Sequence, residues 1–192
     1  MTLLVLVGPA GVGKGSLVKK MLARKKMLAH HSDLRLSVSA TTRNPRPGEV
    51  EGVHYHFVSK DTFKEMIHEG QFLEWAEVHG SAYYGTPRKE LEQAIADGKH
   101  LVLEIDLQGA RQIRGKVQDS MSVFILPPSP EELERRLRGR GTETESEIQT
   151  RLKTAQNELA AASEFDYQVI NEDLDQTASE IVDLLRNWKK ED

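Results

Sequence analysis

The sequence predicts an α/β fold in which a parallel sheet, covered by helices on both faces, carries a small, mostly antiparallel insert and a helical lid. Short apolar runs rich in Val, Ile and Leu alternate with helical patterns along the chain. A glycine-rich segment joins the first apolar run to the first helix, and prolines and glycines interrupt the alternation between residues 36 and 84. Because helices that connect parallel strands cover both faces of a sheet, the alternation indicates a parallel core with one insert.

Four apolar runs are the predicted strands of the core, and six longer patterns are its predicted helices. The strands span residues 3–7, 100–106, 122–126 and 167–171. The helices span residues 14 to about 29, 87–97, 108–116, 130–138, 145–163 and 177–189. The fourth helix has the clearest start, because Ser129 can cap it and Pro130 fits its first turn. The interrupted segment is expected to form the insert, with one helix near residues 61–68.

Composition restricts the class of protein. The 192 residues suit one domain, with 38% apolar and 29% charged residues, and the net charge of −4 argues against a nucleic-acid partner. The absence of cysteine excludes disulfides, thiolate catalysis and cysteine-bound zinc. No apolar run reaches the roughly 20 residues that span a bilayer, and no secretory signal precedes the first strand. We therefore expect a soluble, cytoplasmic protein without a membrane partner.

The segment after the first strand has the pattern of a phosphate-binding loop. It comprises Gly8, Pro9, Ala10, Gly11, Val12, Gly13, Lys14, Gly15 and Ser16. Glycines at this spacing let successive backbone N–H groups turn toward an anion, and the helix that follows adds the positive end of its dipole. An ordinary strand-to-helix turn would not require Lys14, whose ammonium can reach terminal phosphates. The segment therefore predicts binding of nucleotide phosphates.

One position departs from the usual phosphate loop, because Gly15 stands where serine or threonine normally holds a metal ion. Mg²⁺ retains most of its waters and can be held by nucleotide phosphates and by carboxylates that act through water. Glu104 and Asp106 stand at the end of a predicted buried strand, and such strand ends lie beside the phosphate loop. We therefore predict a Mg²⁺ cofactor that arrives with the nucleotide and has no direct protein ligand. Two acids that only mark a turn are the alternative interpretation.

The order of several further motifs resembles that of the guanylate kinase family. They are SVSATTRNPRPGE at 37–49, GVHYHF at 52–57, EWA at 74–76, YGT at 84–86, EIDLQG at 104–109 and RGTE at 140–143. Each motif alone is weak, but together they are specific, and the match runs from residue 3 to the last helix. The resemblance implies a nucleoside monophosphate kinase that transfers the γ-phosphoryl group of ATP to GMP and to dGMP. It also implies one domain, with a core (1–37, 85–130 and 160–192), a GMP-binding insert at about 38–84 and a lid at about 131–159.

The resemblance implies that guanine is recognised by four side chains. Guanine presents two adjacent N–H donors and the acceptor O6. Glu74 can accept both donors, Ser39 and Thr86 can donate to O6, and Asp106 can accept the remaining amine hydrogen. Adenine presents an acceptor at N1, so the same site would reject it. From the residues alone, a helix-end carboxylate and capping hydroxyls are equally good interpretations.

Two arginines and two tyrosines are expected to contact the GMP phosphate. Arg43 and Arg46 lie in a loop stiffened by two prolines, and Tyr55 and Tyr84 offer hydroxyl donors. The stretch GSAYYG at 80–85 is one residue longer than its family counterpart, so Tyr83 is an alternative to Tyr84. We expect Tyr84, next to a glycine, to reach the phosphate. Glu104 is also assigned to the GMP side of the site.

The resemblance further implies a lid whose arginines cover the ATP phosphates. Arg136, Arg140 and Arg151 are the candidates, because guanidinium groups neutralise charge on the transferring phosphoryl group. The expected catalytic residues are Lys14, Arg43, Arg140 and Arg151. Asn171 follows the last strand and is expected to lie near the adenine of ATP.

Three other classes of protein share parts of this pattern. Guanylate kinase-like scaffold domains bind phosphorylated peptides but typically lack an intact phosphate loop or lid arginines. A sugar-phosphate kinase of the same fold would not require Glu74, Ser39 and Asp106 together, and a nucleotide switch or motor would need a hydroxyl at position 15. We therefore favour an enzyme of purine nucleotide metabolism, a monomer or weak homo-oligomer whose partners are ATP and GMP.

Overall fold

The computed structural model describes residues 1–24, 33–78, 80, 82–139 and 144–188. Its strands are β1 (Leu3–Val7), β2 (Leu34–Leu36), β3 (Ala40–Thr41), β4 (His56–Phe57), β5 (Phe72–Val78), β6 (Ala82–Pro87), β7 (His100–Glu104), β8 (Ser120–Leu126) and β9 (Tyr167–Ile170). Its helices are α1 (Lys14–Arg24), α2 (Lys60–His68), α3 (Arg88–Ala96), α4 (Leu107–Ile113), α5 (Pro130–Arg138), α6 (Glu145–Ala160) and α7 (Leu174–Asn187), with a 3₁₀ turn at Ala162–Glu164. The strands form two sheets.

The larger sheet is fully parallel, with the strand order β2-β7-β1-β8-β9. All five residues of its central strand β1 are buried. Leu4 and Leu6 belong to one hydrophobic cluster, which includes residues of α1, α5 and α7, whereas Leu3, Val5 and Val7 belong to a second cluster with residues of α3 and α4. Alternate side chains of β1 therefore enter different layers, which confirms the predicted parallel sheet with helices on both faces.

The element boundaries agree with the sequence prediction where local signals are strong. The predicted bounds of β1 and α5 are those observed, and Ser129 caps α5 by accepting a hydrogen bond from the Glu132 N–H. Strand β2 was not predicted, because it has three residues with Arg35 at its centre and is recognisable only by its pairing with β7. Helix α7 begins three residues earlier than predicted, where Asp173 caps it. The predicted continuation of α1 beyond residue 24 lies outside the described residues.

The second sheet belongs to the insert and has the strand order β4-β3-β6-β5. The pairs β3–β6 and β5–β6 are antiparallel and β3–β4 is parallel, so the expectation of a mostly antiparallel insert is confirmed. Its own hydrophobic cluster contains Ala40, Phe63 and Phe72 as buried residues. This cluster is far smaller than those of the parallel sheet, and the insert therefore depends on few side chains.

The two chain crossings between core and insert are tied together by one carboxylate. Glu90 of α3 is 5% exposed and accepts hydrogen bonds from the Val38 N–H at 3.2 Å and from the Arg35 guanidinium at 3.4 Å. Val38 lies where the chain leaves the core, and α3 begins where the chain returns. This contact holds the base of the insert against the sheet.

None of the described helices is both long and apolar enough to cross a bilayer.

We predict that Phe63→Ala destabilises the insert selectively. The Phe63 ring is fully buried and stacks on Phe72 and Tyr83, with ring centroids 4.5 Å and 5.5 Å apart. Its removal should cost about 3–5 kcal/mol in the unfolding free energy of this small cluster. Hydrogen exchange should accelerate in β5 and β6 while β1 and β8 keep their protection. The control Ile95→Ala, at a position 56% exposed, should change neither, and equal acceleration in both sheets would contradict the prediction.

Candidate active site

A cavity of about 420 Å³ opens between the end of the parallel sheet, the insert and α6. Its lining includes Lys14 of the phosphate loop, four residues of the insert (Ser39, Tyr55, Glu74 and Tyr84), Glu104 and Asp106 after β7, and Arg151 and Glu158 of α6. Ligands of open α/β sheets bind at the carboxyl ends of the strands, which is where this cavity lies. Residues that the sequence analysis assigned to two different substrates thus line one cavity.

The phosphate loop closes tightly between β1 and α1. The Lys14 ammonium folds back over it and donates to the carbonyl oxygens of Gly8 at 2.6 Å and Pro9 at 3.3 Å. Gly13 has a φ of 100°, and a Cβ there would lie 2.6 Å from Nδ2 of Asn171, so both the backbone and the space require glycine. The loop therefore presents the lysine and the start of α1 to the cavity.

Two residues expected to contact ATP support the outer side of this loop. Asn171 is 1% exposed, and its Nδ2 donates to the Val12 carbonyl at 2.7 Å. The Arg136 guanidinium donates to the same carbonyl at 3.2 Å and to the Asn171 carbonyl at 3.1 Å. Within the described part of the chain, Oδ1 of Asn171 is buried without a hydrogen-bond partner. Neither Asn171 nor Arg136 is among the residues that line the cavity described above.

Gly15, which replaces the usual hydroxyl residue of the phosphate loop, lies beside a carboxylate. A Cβ at Gly15 would lie 3.4 Å from Oε2 of Glu104, so a carboxylate stands next to the place where the hydroxyl is usual. The Glu104 side chain opens into the cavity, but the surrounding protein removes much of its water, and this burial raises the pKa of its carboxyl although Lys14 and Lys19 partly oppose the change. No group of three or more potential metal ligands occurs among the described residues.

The guanine-binding candidates lie together where β5 and β6 meet the core. The register of the two strands places Glu74 opposite Thr86, and the Thr86 N–H donates to Oε1 of Glu74 at 2.8 Å. The hydroxyl oxygens of Ser39 and Thr86 are 3.4 Å apart, and Asp106 caps α4 by accepting from the Gly109 N–H at 2.8 Å. Ser39, Glu74 and Asp106 line the cavity, whereas Thr86 is fully buried beside them and is not among the lining residues.

Burial dominates the electrostatics of Glu74. Glu74 is only 4% exposed. This burial raises the pKa of its carboxyl to about 7, and the charge of Asp106 contributes to the increase. The hydrogen bonds from Thr86 oppose the increase. Without a ligand, Glu74 therefore exchanges its proton near neutral pH, and ligand N–H donors would favour the ionised form.

The phosphate-binding candidates form a stacked cluster on the insert. The Arg43 guanidinium makes a two-pronged ion pair with Glu49, with both N···O distances at 2.6 Å, and lies 4.9 Å from the centre of the Tyr55 ring. Arg43 holds the pKa of the Glu49 carboxyl at about 2, well below its ordinary value. The Arg46 N–H also donates to Glu49, at 2.7 Å, while the Arg46 side chain is exposed. Glu49 thus orders a loop that the sequence assigned to an anion.

The structure distinguishes Tyr84 from Tyr83. Tyr84 lines the cavity, packs edge-to-face on Tyr55 with ring centroids 6.0 Å apart and interacts with Arg43. Tyr83 points to the opposite side of β6, where it packs on Phe63 in the core of the insert. Successive side chains of a strand alternate between its faces, so only one of the two can face the cavity.

Helix α6 contributes the remaining wall of the cavity. Arg151 and Glu158 lie seven residues apart, which places them on one face of the helix, and both line the cavity. Burial raises the pKa of the Glu158 carboxyl, although the nearby charge of Lys14 opposes the change. Arg140, the other predicted lid arginine, lies outside the described residues.

The sequence analysis missed three residues that shape the site. Glu49 lies within the arginine-containing motif and could have been recognised as the acid that pairs with those arginines. The spacing of Glu158 from Arg151 is a helical signal that was available but unspecific. Gly109 ends the EIDLQG motif, but the motif does not indicate why glycine is needed there, because the reason depends on Glu74, a residue of another element.

Comparisons with known proteins give one family. A guanylate kinase family model matches residues 1–188. Curated guanylate kinases from Thermosynechococcus vestitus and Synechocystis sp. are 55% identical over 175 residues and 52% identical over 183 residues, covering 91% and 95% of this chain and 88% and 92% of their own lengths. A crystal structure of guanylate kinase from Anaplasma phagocytophilum matches 96% of this chain and 84% of its own, with 35% identity and a TM-score of 0.77. With the phosphate loop, the insert and the cavity between them, these matches show that the chain belongs to the guanylate kinase family.

Proposed function

We propose that this chain transfers the γ-phosphoryl group of ATP to GMP, forming ADP and GDP, and that it accepts dGMP as well. One observation carries the proposal: a single cavity is lined both by Lys14 of the phosphate loop and by Glu74 of the insert. A donor triphosphate and an acceptor nucleotide could therefore meet inside it. Phosphoryl transfer needs this positioning and charge neutralisation more than covalent help from the protein.

Guanine would be recognised by the wall that contains Glu74. The ionised carboxylate accepts the N1–H and one amine hydrogen, Ser39 and Thr86 donate to O6, and Asp106 accepts the second amine hydrogen. The close approach of the two hydroxyls and the short bond from the Thr86 N–H support this arrangement. Adenine would place its N1 acceptor against a carboxylate and would be rejected.

The GMP phosphate would bind the cluster of Arg43, Arg46, Tyr55 and Tyr84. Glu49 occupies one edge of the Arg43 guanidinium, and a guanidinium has a second edge that can donate two parallel hydrogen bonds. Tyr55 and Tyr84 lie beside it. The cluster therefore supports the binding of a phosphate with a fixed orientation.

The ATP side would consist of the phosphate loop and the lid. Lys14 would leave the loop carbonyls for the β- and γ-phosphates, and Arg151, together with Arg140, would neutralise the transferring group. Arg136 and Asn171 would act from the outer side of the loop, where both donate to the Val12 carbonyl and support the loop that binds ATP.

Mg²⁺ is the expected cofactor, bound mainly by the nucleotide phosphates. The donor set fits this role: the carboxylates of Glu104 and Asp106 follow β7, and Glu104 lies beside the loop position that usually carries a hydroxyl ligand. These residues would hold metal-bound waters. When bound, the ion would neutralise phosphate charge and orient the oxygens.

The division into core, insert and lid fits this reaction. We propose that the insert and the lid close over the core when both substrates are bound, because closure excludes water that would otherwise hydrolyse ATP. ATP and GMP are nucleotides of the cytoplasm, which is the proposed location. The proposed oligomeric state is a monomer or a weak homo-oligomer, because neither substrate requires a larger assembly. The proposal includes no nucleic-acid partner.

The decisive test is a coupled assay for ADP with ATP as donor. GMP and dGMP should be phosphorylated, whereas AMP and a sugar phosphate should give only background. Turnover of the sugar phosphate in preference to GMP would overturn the proposal.

We predict that Lys14→Ala and Arg43→Ala each lower kcat/KM for GMP by about a hundred- to thousandfold, because each removes a positioned charge. Binding assays should separate the two variants: Lys14→Ala should weaken ATP binding, and Arg43→Ala should weaken GMP binding. A Lys14→Ala variant with normal turnover would refute the assignment of the phosphate loop.

We predict a pH dependence that originates in Glu74. Its pKa in the free protein is about 7, and GMP requires the ionised form, so GMP binding should weaken by up to about tenfold per pH unit below 7. The GMP phosphate also titrates in this range, so a control is needed. The variant Glu74→Gln keeps the pH dependence of the phosphate and loses the pH dependence of the Glu74 carboxyl. Titration calorimetry between about pH 5.5 and 8 should show a steeper pH dependence of GMP affinity for the wild type than for Glu74→Gln.

The same pKa shift affects stability in a defined direction. A carboxyl whose pKa is raised from 4.5 to about 7 in the folded state contributes stability below pH 4.5 that is lost as the pH rises through 7. Glu74→Gln should therefore stabilise the free protein relative to the wild type above pH 7, by up to about 3 kcal/mol, and the gain should vanish toward pH 4.5. A pH-independent difference in unfolding free energy would contradict this origin.

Tyr84→Phe and Tyr83→Phe form a matched pair. We expect Tyr84→Phe to raise KM for GMP by about ten- to hundredfold, because it removes a hydroxyl that faces a charged phosphate. Tyr83→Phe keeps the ring that packs on Phe63 and should change KM by no more than about twofold. Steady-state kinetics with GMP would measure both, and a larger effect at Tyr83 would reverse the assignment.

A further inference from the structure

Gly109 lies in the first turn of α4, at a position where backbone geometry does not require glycine. It is buried, and its φ is not among the positive values found at other glycines of the chain. Glycine is one of the poorest helix formers, and alanine is the best. Something other than the helix must therefore favour glycine here.

The space around Gly109 is taken by two carboxylates. A Cβ at this position would collide with Oε2 of Glu74, would lie 3.0 Å from Cδ of Glu74 and would lie 3.4 Å from Oδ1 of Asp106. The three nearest atoms all belong to these two side chains, and none is a backbone atom. The missing side chain thus makes room for the two acids assigned to guanine.

Neither side of this contact can move away easily. On one side, the Thr86 N–H holds Oε1 of Glu74 at 2.8 Å within a paired strand. On the other side, Gln112 fastens α4 to β5: its Oε1 accepts from the Trp75 N–H at 3.2 Å, and its Nε2 donates to the Trp75 carbonyl at 2.5 Å. The distance between the helix and the strand is therefore set, and an added methyl group would displace the carboxylate.

We propose that Gly109 is a specificity-determining residue, because the absence of its side chain lets Glu74 and Asp106 converge on the donor edge of the guanine base. The inference rests on the proposed function, in which these acids accept the guanine N–H groups. Gly109 itself contacts no substrate in this proposal and acts by leaving space for the residues that do.

The test is Gly109→Ala, with the affinities for GMP, IMP and ATP measured separately. IMP has the same ring without the exocyclic amine. The ratio of GMP to IMP affinity therefore measures how much the hydrogen bonds from this amine to the carboxylates contribute. GMP binding should weaken by about ten- to hundredfold, and the preference for GMP over IMP should shrink, because one or two hydrogen bonds lose their geometry. ATP binding should stay near the wild-type value, and the unfolding temperature should fall by only a few degrees, because the better helix propensity of alanine offsets part of the strain. An unchanged preference for GMP over IMP would overturn the proposal.

A double-mutant cycle with Glu74→Asp shows whether the effect passes through Glu74. Aspartate is one methylene shorter and leaves room for a methyl group, so adding Gly109→Ala to Glu74→Asp should cost little or no further GMP affinity. An equal loss in both backgrounds would overturn the proposal. If Gly109→Ala alone failed to fold, folding of the double variant would support a clash with Glu74, and failure of both would overturn it.

The failure of this inference and of the proposed function have different signatures. A wild-type protein that did not phosphorylate GMP would overturn the proposed function itself. A wild-type protein that phosphorylated GMP, with a Gly109→Ala variant that discriminated against IMP as well as the wild type, would overturn only the role of Gly109.

Discussion

The parallel pairing of β1 with β7 is the constraint on which the site depends. Leu6 lies opposite Glu104, so the phosphate loop and the two acids after β7 leave the sheet side by side. Both strands are buried by helices on two faces, which leaves the register no freedom to shift. The insert and α6 then complete a cavity whose floor is already defined.

The cavity brings several carboxyl groups close together, and the basic side chains near them are already engaged by protein oxygens. Glu74, Glu104 and Glu158 all line it, and burial raises the pKa of each carboxyl. The cations proposed to face anionic substrates are held by protein oxygens: Lys14 by loop carbonyls and Arg43 by Glu49. We therefore expect Lys14 to exchange its loop carbonyls for substrate oxygens, whereas Arg43 keeps Glu49 and offers its second edge, so that neither change rebuilds the fold.

The insert is joined to the core by side-chain hydrogen bonds and by the packing of β5 on α4. Glu90 holds the outgoing chain at Val38, and Gln112 joins α4 to Trp75 of β5. Its hydrophobic cluster is small and centred on Phe63. These contacts fix the edge of the insert that adjoins the core, so the closure proposed above would move the insert about this edge.

The sequence by itself determined the features that arise from local order: the strand–glycine–lysine–helix sequence of the phosphate loop, the capped start of α5 and the motif order of the guanylate kinase family. These signals lie within a few residues of one another, so they are readable without a fold. Only the tertiary structure decided the rest. The face of β6 that carries Tyr84 depends on pairing, the place of Arg136 behind Val12 depends on helix packing, and the need for Gly109 depends on Glu74, 35 residues earlier in the chain. Contacts between distant segments leave no periodic or compositional signal, because the chain positions that meet are set by the packing of the whole molecule.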